Sequence, residues 1–479
     1  MGFLKAVAYI LGLRNEGQTR LIGHLRRRPV RVPLRALRNH MYIVGNTGMG
    51  KSRLMRLLIE QDIAAGHGLC VIDPHGDLIE ELITYLATLP PGHGARSRAL
   101  LIDPTAPQWA VGFNPLEPCD TEEVFPQTLE LIEVFEKLWH DAWGARMEDL
   151  MRNSFVTLAE HGLTLLEMPR LLTDPDFRAG LVERLRNPEA KSYWENRFAP
   201  LSARTKAEWV ESTLNKVSSF VSDPWIRDMV GQRHSTIDPR RWMDEGRIVL
   251  VNLAKGRLKR NSTLIGALIV SKLQQAALSR VDLPADARRP FRLYIDEFQD
   301  YATRSFEEIL SEARKYGLSL VIAHQVLAQL AKPLLASVLG NCQVQVYFRV
   351  DRQDADILAR QAFRATGKQI KFMLAKDRLF AQEPRTNPVF VSVGEEMESY
   401  VNLLLDLAAR QALLNIRGEG RPVPFVVATA PDRPASPEAR RLRGELCARA
   451  GRPRATVREE IDRRVRSEPD VTPESLWET

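Results

Sequence analysis

The chain has 479 residues, enough for two or three domains. Its 44% hydrophobic and 27% charged content is that of an ordinary soluble globular protein, and its net charge of +7 points to polyanionic partners, nucleic acid first. The four cysteines, Cys70, Cys119, Cys342 and Cys447, form no C-x-x-C spacing. That argues against a zinc site or a disulfide framework and suits a reducing cytoplasm.

In chain order, Phe3–Leu13 is the most apolar stretch near the start. It is too short to cross a bilayer, which needs about 20 apolar residues. The alternatives are an amphipathic helix packed on the chain's own body, or one resting on a partner or a membrane surface. A basic segment follows within residues 1–40, with Arg14, Arg20, Arg26, Arg27, Arg28, Arg31, Arg35 and Arg38 and a single acid, Glu16. It is either a contact for DNA or acidic lipid, or a solvated surface.

Met41–Val44 reads as a strand. Gly45-Asn46-Thr47-Gly48-Met49-Gly50-Lys51-Ser52 then fits G-x-x-x-x-G-K-[ST], and Ser52–Ala65 carries apolar residues at helical spacing. Strand, glycine loop and helix together make a phosphate cradle. Backbone N–H groups turn toward the anion, and the helix N-terminus adds positive potential. Lys51 is expected to reach the β- and γ-phosphates of ATP, and Ser52 to ligate Mg2+. Gly68–Asp73 and Ala99–Asp103 are further buried-strand candidates, each ending in an acid. Asp73, His75 and Asp77 have the residue types of a metal site, but turn chemistry accounts for them better. Alternating strands and helices imply an α/β fold with a mainly parallel sheet, so residues 41–116 read as the first part of a nucleotide-binding domain.

The pattern changes over residues 117–240. Apolar residues recur every three or four positions, and Trp139, Trp143, Trp194, Trp209 and Trp225 concentrate there. This predicts an all-helical insertion whose aromatics form its core. The α/β pattern returns over residues 241–430, with strands expected at Arg247–Leu253, Phe291–Glu297, Leu318–Ala323, Val344–Val350 and Pro424–Ala428. From residue 431 the chain is charged and poor in strongly apolar residues; a helix over Arg454–Arg466 is one option, and the tail reads as a mobile appendage or partner-docking segment.

Asp296 and Glu297 close an apolar strand. A phosphate loop needs such a partner: Asp296 to hold Mg2+, and Glu297 to orient and deprotonate the attacking water. The long separation of Asp296 from Lys51 requires one motor domain in two sequence segments, interrupted by the helical part.

These motifs, together with Phe113-Asn-Pro-Leu116, Tyr294-Ile-Asp-Glu-Phe298 and Glu312-Ala-Arg-Lys-Tyr-Gly317 leading to His324-Gln325, resemble the FtsK/HerA-type DNA-pumping ATPases. Within that group the chain looks most like conjugative type IV coupling proteins of the TraG/TraD kind, over about residues 41–430. The resemblance implies a RecA-like P-loop core, ATP and Mg2+ as cofactors, and a hexameric ring with DNA in its channel. It further implies Gln325 as a sensor of the γ-phosphate and Arg314 as an arginine reaching a neighbouring subunit's site. Lys255, Arg257, Lys259 and Arg260 are basic candidates for lining the channel, with a solvated loop as the alternative. The expected activity is ATP-dependent DNA translocation in conjugation, type IV secretion or a mobile element, with a relaxase, nuclease or secretion channel as partner. The alternatives are a HerA-like translocase for DNA-end processing, or a secretion ATPase acting on protein. Unlike membrane-bound coupling proteins, the chain shows no membrane-spanning run, so the expected location is the cytoplasm, with at most peripheral contact at the inner membrane.

Overall fold

In the computed structural model the apolar runs fold as strands. In chain order the first are β1 (Thr19–Leu25), β2 (Arg28–Pro33), β3 (Met41–Val44), β4 (Gly68–Asp73), β5 (Ala99–Ile102), β6 (Trp109–Ala110), β7 (Ile248–Asn252) and β8 (Phe291–Ile295). They are followed by β9 (Leu318–His324), β10 (Val344–Tyr347), β11 (Ile370–Leu374), β12 (Thr386–Phe390), β13 (Gln411–Ile416), β14 (Val423–Val427) and β15 (Arg452–Pro453). The structure describes residues 18–117, 124–139, 143–303, 306–365, 370–374 and 386–466. The expectation for Phe3–Leu13 lies outside them. Among the described residues no helix is long and apolar enough to cross a membrane.

The chain divides into two compact units. The first comprises residues 1–65, 294–299 and 319–432. Its centre is β3, paired in parallel with β10 on one side (Met41 opposite Val344) and β9 on the other (Met41 opposite Val321). All residues of these three strands are buried, which is why they read as continuous apolar runs without alternation. Beyond β10 the pairing turns antiparallel, through β13, β14, β1 and β2 in that order.

Of the basic segment read over residues 1–40, the described part from residue 18 on forms the β1–β2 hairpin and the short helix Leu34–Leu37. The hairpin's turn residues, Arg26 and Arg27, both have positive φ (46° and 67°). Val30 and Val32 are fully buried, while Arg28 and Pro29 face outward. Arg31 lies between the two valines, on the other face of the strand, and is partly buried. Arg20 is an exception: it is buried, and its Nε donates to Asp62 Oδ1 at 2.7 Å. Tyr294 Oη donates to Asp62 Oδ2 at 2.6 Å, so each carboxylate oxygen has a donor. Asp62 lies on the helix Lys51–Ala64, whose other buried residues include Leu54, Met55, Leu58, Ile59 and Ile63.

The second unit comprises residues 66–293, 300–318 and 433–479. Here β7 pairs in parallel with β4 and with β5. Between Val124 and Glu245 every described element is helical. Phe135, Phe155 and Phe220 form the aromatic centre of these helices, and Trp194 Nε1 donates to Thr157 Oγ1 at 2.8 Å. Asn114 explains the Phe113-Asn-Pro-Leu116 junction: its Nδ2 donates to the Arg233 carbonyl at 3.0 Å and the Leu163 carbonyl at 3.3 Å, and its Oδ1 accepts from the Leu116 amide.

Residues 433–466 are not the mobile appendage expected. They fold as the helices Pro437–Ala450 and Arg454–Arg466, the first packed along β5 and the helix Asp77–Thr88. The sequence obscured this because one anchor is an arginine and the buried apolar residues, among them Leu442, Leu446, Val457 and Ile461, are set among charges. Arg454, 5% exposed, donates to the carbonyls of Pro104, Ala106 and Trp109 and pairs with Asp228, while its guanidinium stacks on Trp225. A long charged side chain is here an internal fastener.

Candidate active site

The phosphate-loop motif and the two strand-end acids meet in the first unit. The loop Gly45–Gly50 runs from the end of β3 to the N-terminus of the helix Lys51–Ala64. Two segments brace it. The Asn46 amide donates to the Arg349 carbonyl at 2.8 Å, just past β10, and the Arg410 amide donates to the Met49 carbonyl at 2.9 Å. Gly45 has φ 155°, and a Cβ there would lie 2.4 Å from the Phe348 Cβ, so a side chain is excluded. Gly50 caps the helix with φ 111°, which turns the following amides toward the loop's interior.

Lys51 is 7% exposed. Its Nζ donates to the Gly45 carbonyl at 2.6 Å and to the Asn46 carbonyl at 3.2 Å, both within its own loop. Burial draws its pKa below the ordinary lysine value, while Glu297 and then Asp296 pull the other way. A buried ammonium whose hydrogen bonds, among the described residues, go to neutral carbonyls is poised to exchange them for phosphate oxygens.

Asp296 follows the last residue of β8 and is nearly buried. Ser52 Oγ donates to its Oδ2 at 3.0 Å, and the Glu297 amide donates to its Oδ1 at 3.0 Å. These hard oxygen donors, a hydroxyl beside a carboxylate, suit Mg2+, which takes one or two protein oxygens and fills its shell with water and phosphate. Ser52 and Asp296 are the residues that would hold it.

Glu297 adopts φ 51°, a left-handed backbone costly for a residue with a Cβ, of the kind that collects at functional sites. Its carboxylate lies between two amides. Gln325 Nε2 donates to Oε1 at 2.6 Å and Gln299 Nε2 donates to Oε2 at 2.7 Å. Gln325 Oε1 in turn accepts from Thr47 Oγ1 at 2.7 Å. A hydrogen-bonded chain thus runs from the phosphate loop through Gln325 to Glu297. His324, just before Gln325, is fully buried against Tyr42; burial and then the Lys51 ammonium push its pKa down to about 4. It is neutral and adds no charge behind the site.

The remaining candidates lie in the second unit. Arg314 is exposed on the short 3-10 helix Ala313–Tyr316. The stretch from Lys255 is a helix, Lys255–Leu258, running into Arg260–Leu278, where a loop was expected. Lys255 Nζ pairs with Asp300 at 2.5 Å and Arg257 stacks over Trp225, while Lys259 and Arg260 are exposed. The acids near His75 do not form a metal site. Asp73 accepts from the amides of His75, Leu78 and Ile79, which is helix-capping turn chemistry. Among the described residues no group of acids, histidines and cysteines is arranged to hold a metal by itself.

The sequence reading missed Gln299, whose spacing two residues after Glu297 was its only signal. It also missed the bracing by Phe348, Arg349 and Arg410, which no local pattern encodes.

Comparison with known proteins agrees with this geometry. Residues 20–238 match the family model "Helicase HerA, central domain", and residues 290–366 match "TraM recognition site of TraD and TraG". A search of curated proteins found no match. Among solved structures, the unbound bacterial conjugative coupling protein TrwB superposes with a TM-score of 0.60 at 16% identity, covering 91% of this chain and 93% of that one. TrwB with the non-hydrolysable GTP analogue GDPNP gives 0.58 at 16% identity (90% and 94% covered). TrwB with ADP and Mg2+ gives 0.56 at 17% identity (85% and 89% covered). At such identities the structural likeness establishes the fold, an α/β P-loop core. The resemblance to HerA-type ATPases and coupling proteins thus holds both in the family models and in the fold.

Proposed function

We propose that this chain is an ATPase that drives DNA transfer, of the conjugative coupling type. The observation that carries the reading is the chain from Thr47 through Gln325 to Glu297, set beside the Ser52–Asp296 pair and the buried Lys51. The two family-model matches, one to a HerA central domain and one to a TraD/TraG segment, support DNA as the cargo.

ATP binds with its phosphates on the loop amides, and Lys51 exchanges its carbonyl partners for β- and γ-phosphate oxygens. Ser52 and Asp296 would hold Mg2+, which would supply charge neutralisation at the phosphates. Glu297 orients a water in line with the γ-phosphorus and takes its proton as the new P–O bond forms; the bond to the β-phosphate oxygen breaks and ADP leaves. Gln325 reports the γ-phosphate to Glu297, since one amide bonds both the loop and the base. Arg314 acts in trans on the site of an adjacent copy in a hexameric ring, and Lys259 and Arg260 face the DNA path.

The test is steady-state ATPase activity with and without single-stranded and duplex DNA. Stimulation by DNA, lost in Glu297→Gln, is expected. Hydrolysis indifferent to DNA would sink the DNA-transfer reading in favour of a protein-directed secretion ATPase. The HerA match also favours a second reading, a translocase for DNA ends. That reading requires DNA-stimulated turnover coupled to a nuclease partner.

A further inference from the structure

The carboxylate of Glu297 is held by two amides, and each amide is placed by a different part of the chain. Gln325 Nε2 donates to Oε1, and Gln325 Oε1 accepts from Thr47 in the phosphate loop, so this hold is tied to the nucleotide end. Gln299 Nε2 donates to Oε2 at 2.7 Å. Gln299 belongs to the single 3-10 turn Phe298–Asp300, so its position follows that of Asp300, its neighbour by a peptide bond. Between these two residues the chain passes from the first unit to the second.

Within the second unit Asp300 is fixed by cations from two elements. Its carboxylate accepts from Lys255 Nζ at 2.5 Å, and its carbonyl accepts from Lys137 Nζ at 2.9 Å. Lys137 lies near the end of the helix Val124–Leu138. Burial draws the Lys137 pKa down to about 8, with Asp300 pulling the other way. Lys255 opens the basic turn Lys255–Leu258. Ala254 before the turn and Lys259 after it both have left-handed backbones, φ 43° and 51°. In residues with a Cβ such conformations persist only where surrounding contacts hold them, and the Lys255–Asp300 pair is one of those contacts.

Lys255 is 38% exposed and Asp300 20%. An ion pair this open to solvent contributes little, and a DNA phosphate offers Lys255 an equivalent anionic oxygen. Resting on the DNA-transfer reading above, we propose that Gln299 and Asp300 form a latch that holds Glu297 back until DNA arrives. DNA phosphates meet Lys259 and Arg260 at the far end of the turn, and one of them takes Lys255 from Asp300. The turn Phe298–Asp300 then shifts, Gln299 lets go of Oε2, and that oxygen turns to the attacking water. Gln325 stays on the other oxygen and keeps the nucleotide end. Glu297 thus reads two inputs, ATP through Gln325 and DNA through Gln299, and hydrolysis without DNA is suppressed. Gln299 and Asp300 are positioning residues: they move the base and take no part in the bond changes.

The test is kcat and KM for ATP of the full chain, each with and without single-stranded and duplex DNA. Expected in Asp300→Asn, Lys255→Met and Gln299→Ala is a DNA-free kcat about fivefold or more above wild type, with KM unchanged and the response to DNA reduced to match. Lys255→Arg, which keeps the cation, should keep the wild-type response. Adding Asp300→Asn to Gln299→Ala should raise kcat no further, because the two act in series. A DNA-free kcat at or below wild type in folded Asp300→Asn and Lys255→Met overturns the latch, and so does full additivity of Asp300→Asn with Gln299→Ala. Should Asp300→Asn fail to fold, judged by melting temperature, Lys255→Met and Gln299→Ala decide alone. If the wild type hydrolyses ATP with no response to DNA, the DNA-transfer reading itself fails and the latch with it. A wild-type response that all three variants retain sinks the latch alone.

Discussion

Two regions of this protein are built from buried charge, and they use it in opposite ways. Around the C-terminal helices Arg454 spends its donors on three carbonyls and one carboxylate, none of which has reason to let go. Around the phosphate loop Lys51 rests on two carbonyls of its own loop, and Ser52 rests on Asp296. The first arrangement is a fastener, saturated by partners from distant segments. The second is a set of placeholders, each weaker than the phosphate or metal bond it would yield to. The contrast between saturated and exchangeable partners separates structural arginines from functional cations better than burial does, since both are buried.

The contrast can be broken or sharpened by substitution. Glu297→Gln should cut kcat by about 10²- to 10⁴-fold while nucleotide affinity, measured by equilibrium binding, stays near wild type. Wild-type turnover would remove Glu297 from its role as base. Arg454→Met should do the reverse, lowering unfolding stability by about 3–5 kcal/mol in denaturant titrations, because Asp228 and several carbonyls lose a buried partner. If stability hardly moves, the C-terminal helices are not fastened as described. Lys51→Ala should lower kcat/KM by about 10²- to 10³-fold without unfolding the chain; a collapse in melting temperature would make Lys51 a fastener too.

His324 supplies a pH test. Its folded pKa of about 4 lies below the unfolded value near 6.5, so as pH falls the unfolded chain takes up the proton first. Stability should therefore drop between about pH 6.5 and 4, by roughly 3 kcal/mol from this residue. Replacing it with Asn should flatten the pH profile by that difference; identical slopes would show that His324 titrates normally. The smallest effect is expected from Lys259→Ser with Arg260→Ser. If these exposed side chains touch phosphates, the slope of log affinity for DNA against log salt should fall by about 2. An unchanged slope would leave them as a solvated helix start.

The comparison also explains what was legible beforehand. The loop Gly45–Ser52 and the pair Asp296–Glu297 could be read because their chemistry sits on contiguous residues at strand ends. Local geometry there follows from glycine φ values and from the apolar strands β3 and β8. The hairpin at residues 19–33 was hidden by its arginines, although Val30 and Val32 already flank Arg31 in alternation. The packing of the Pro437–Ala450 and Arg454–Arg466 helices was hidden for a deeper reason. Their buried apolar residues, among them Leu442, Leu446, Val457 and Ile461, are set among charges, and a hydropathy pattern cannot tell a solvated arginine from Arg454, whose donors meet carbonyls and a carboxylate.

By itself the sequence determined the phosphate-loop motif, the α/β class and the helical character of the middle of the chain, because each depends on residues near one another in order. Only the tertiary structure decided that Gln299 and Gln325 hold Glu297 from two sides and that Lys255 is tied to Asp300. A side chain's partner is set by which segments the fold brings within about 3 Å, and that proximity is not written in the spacing of either segment.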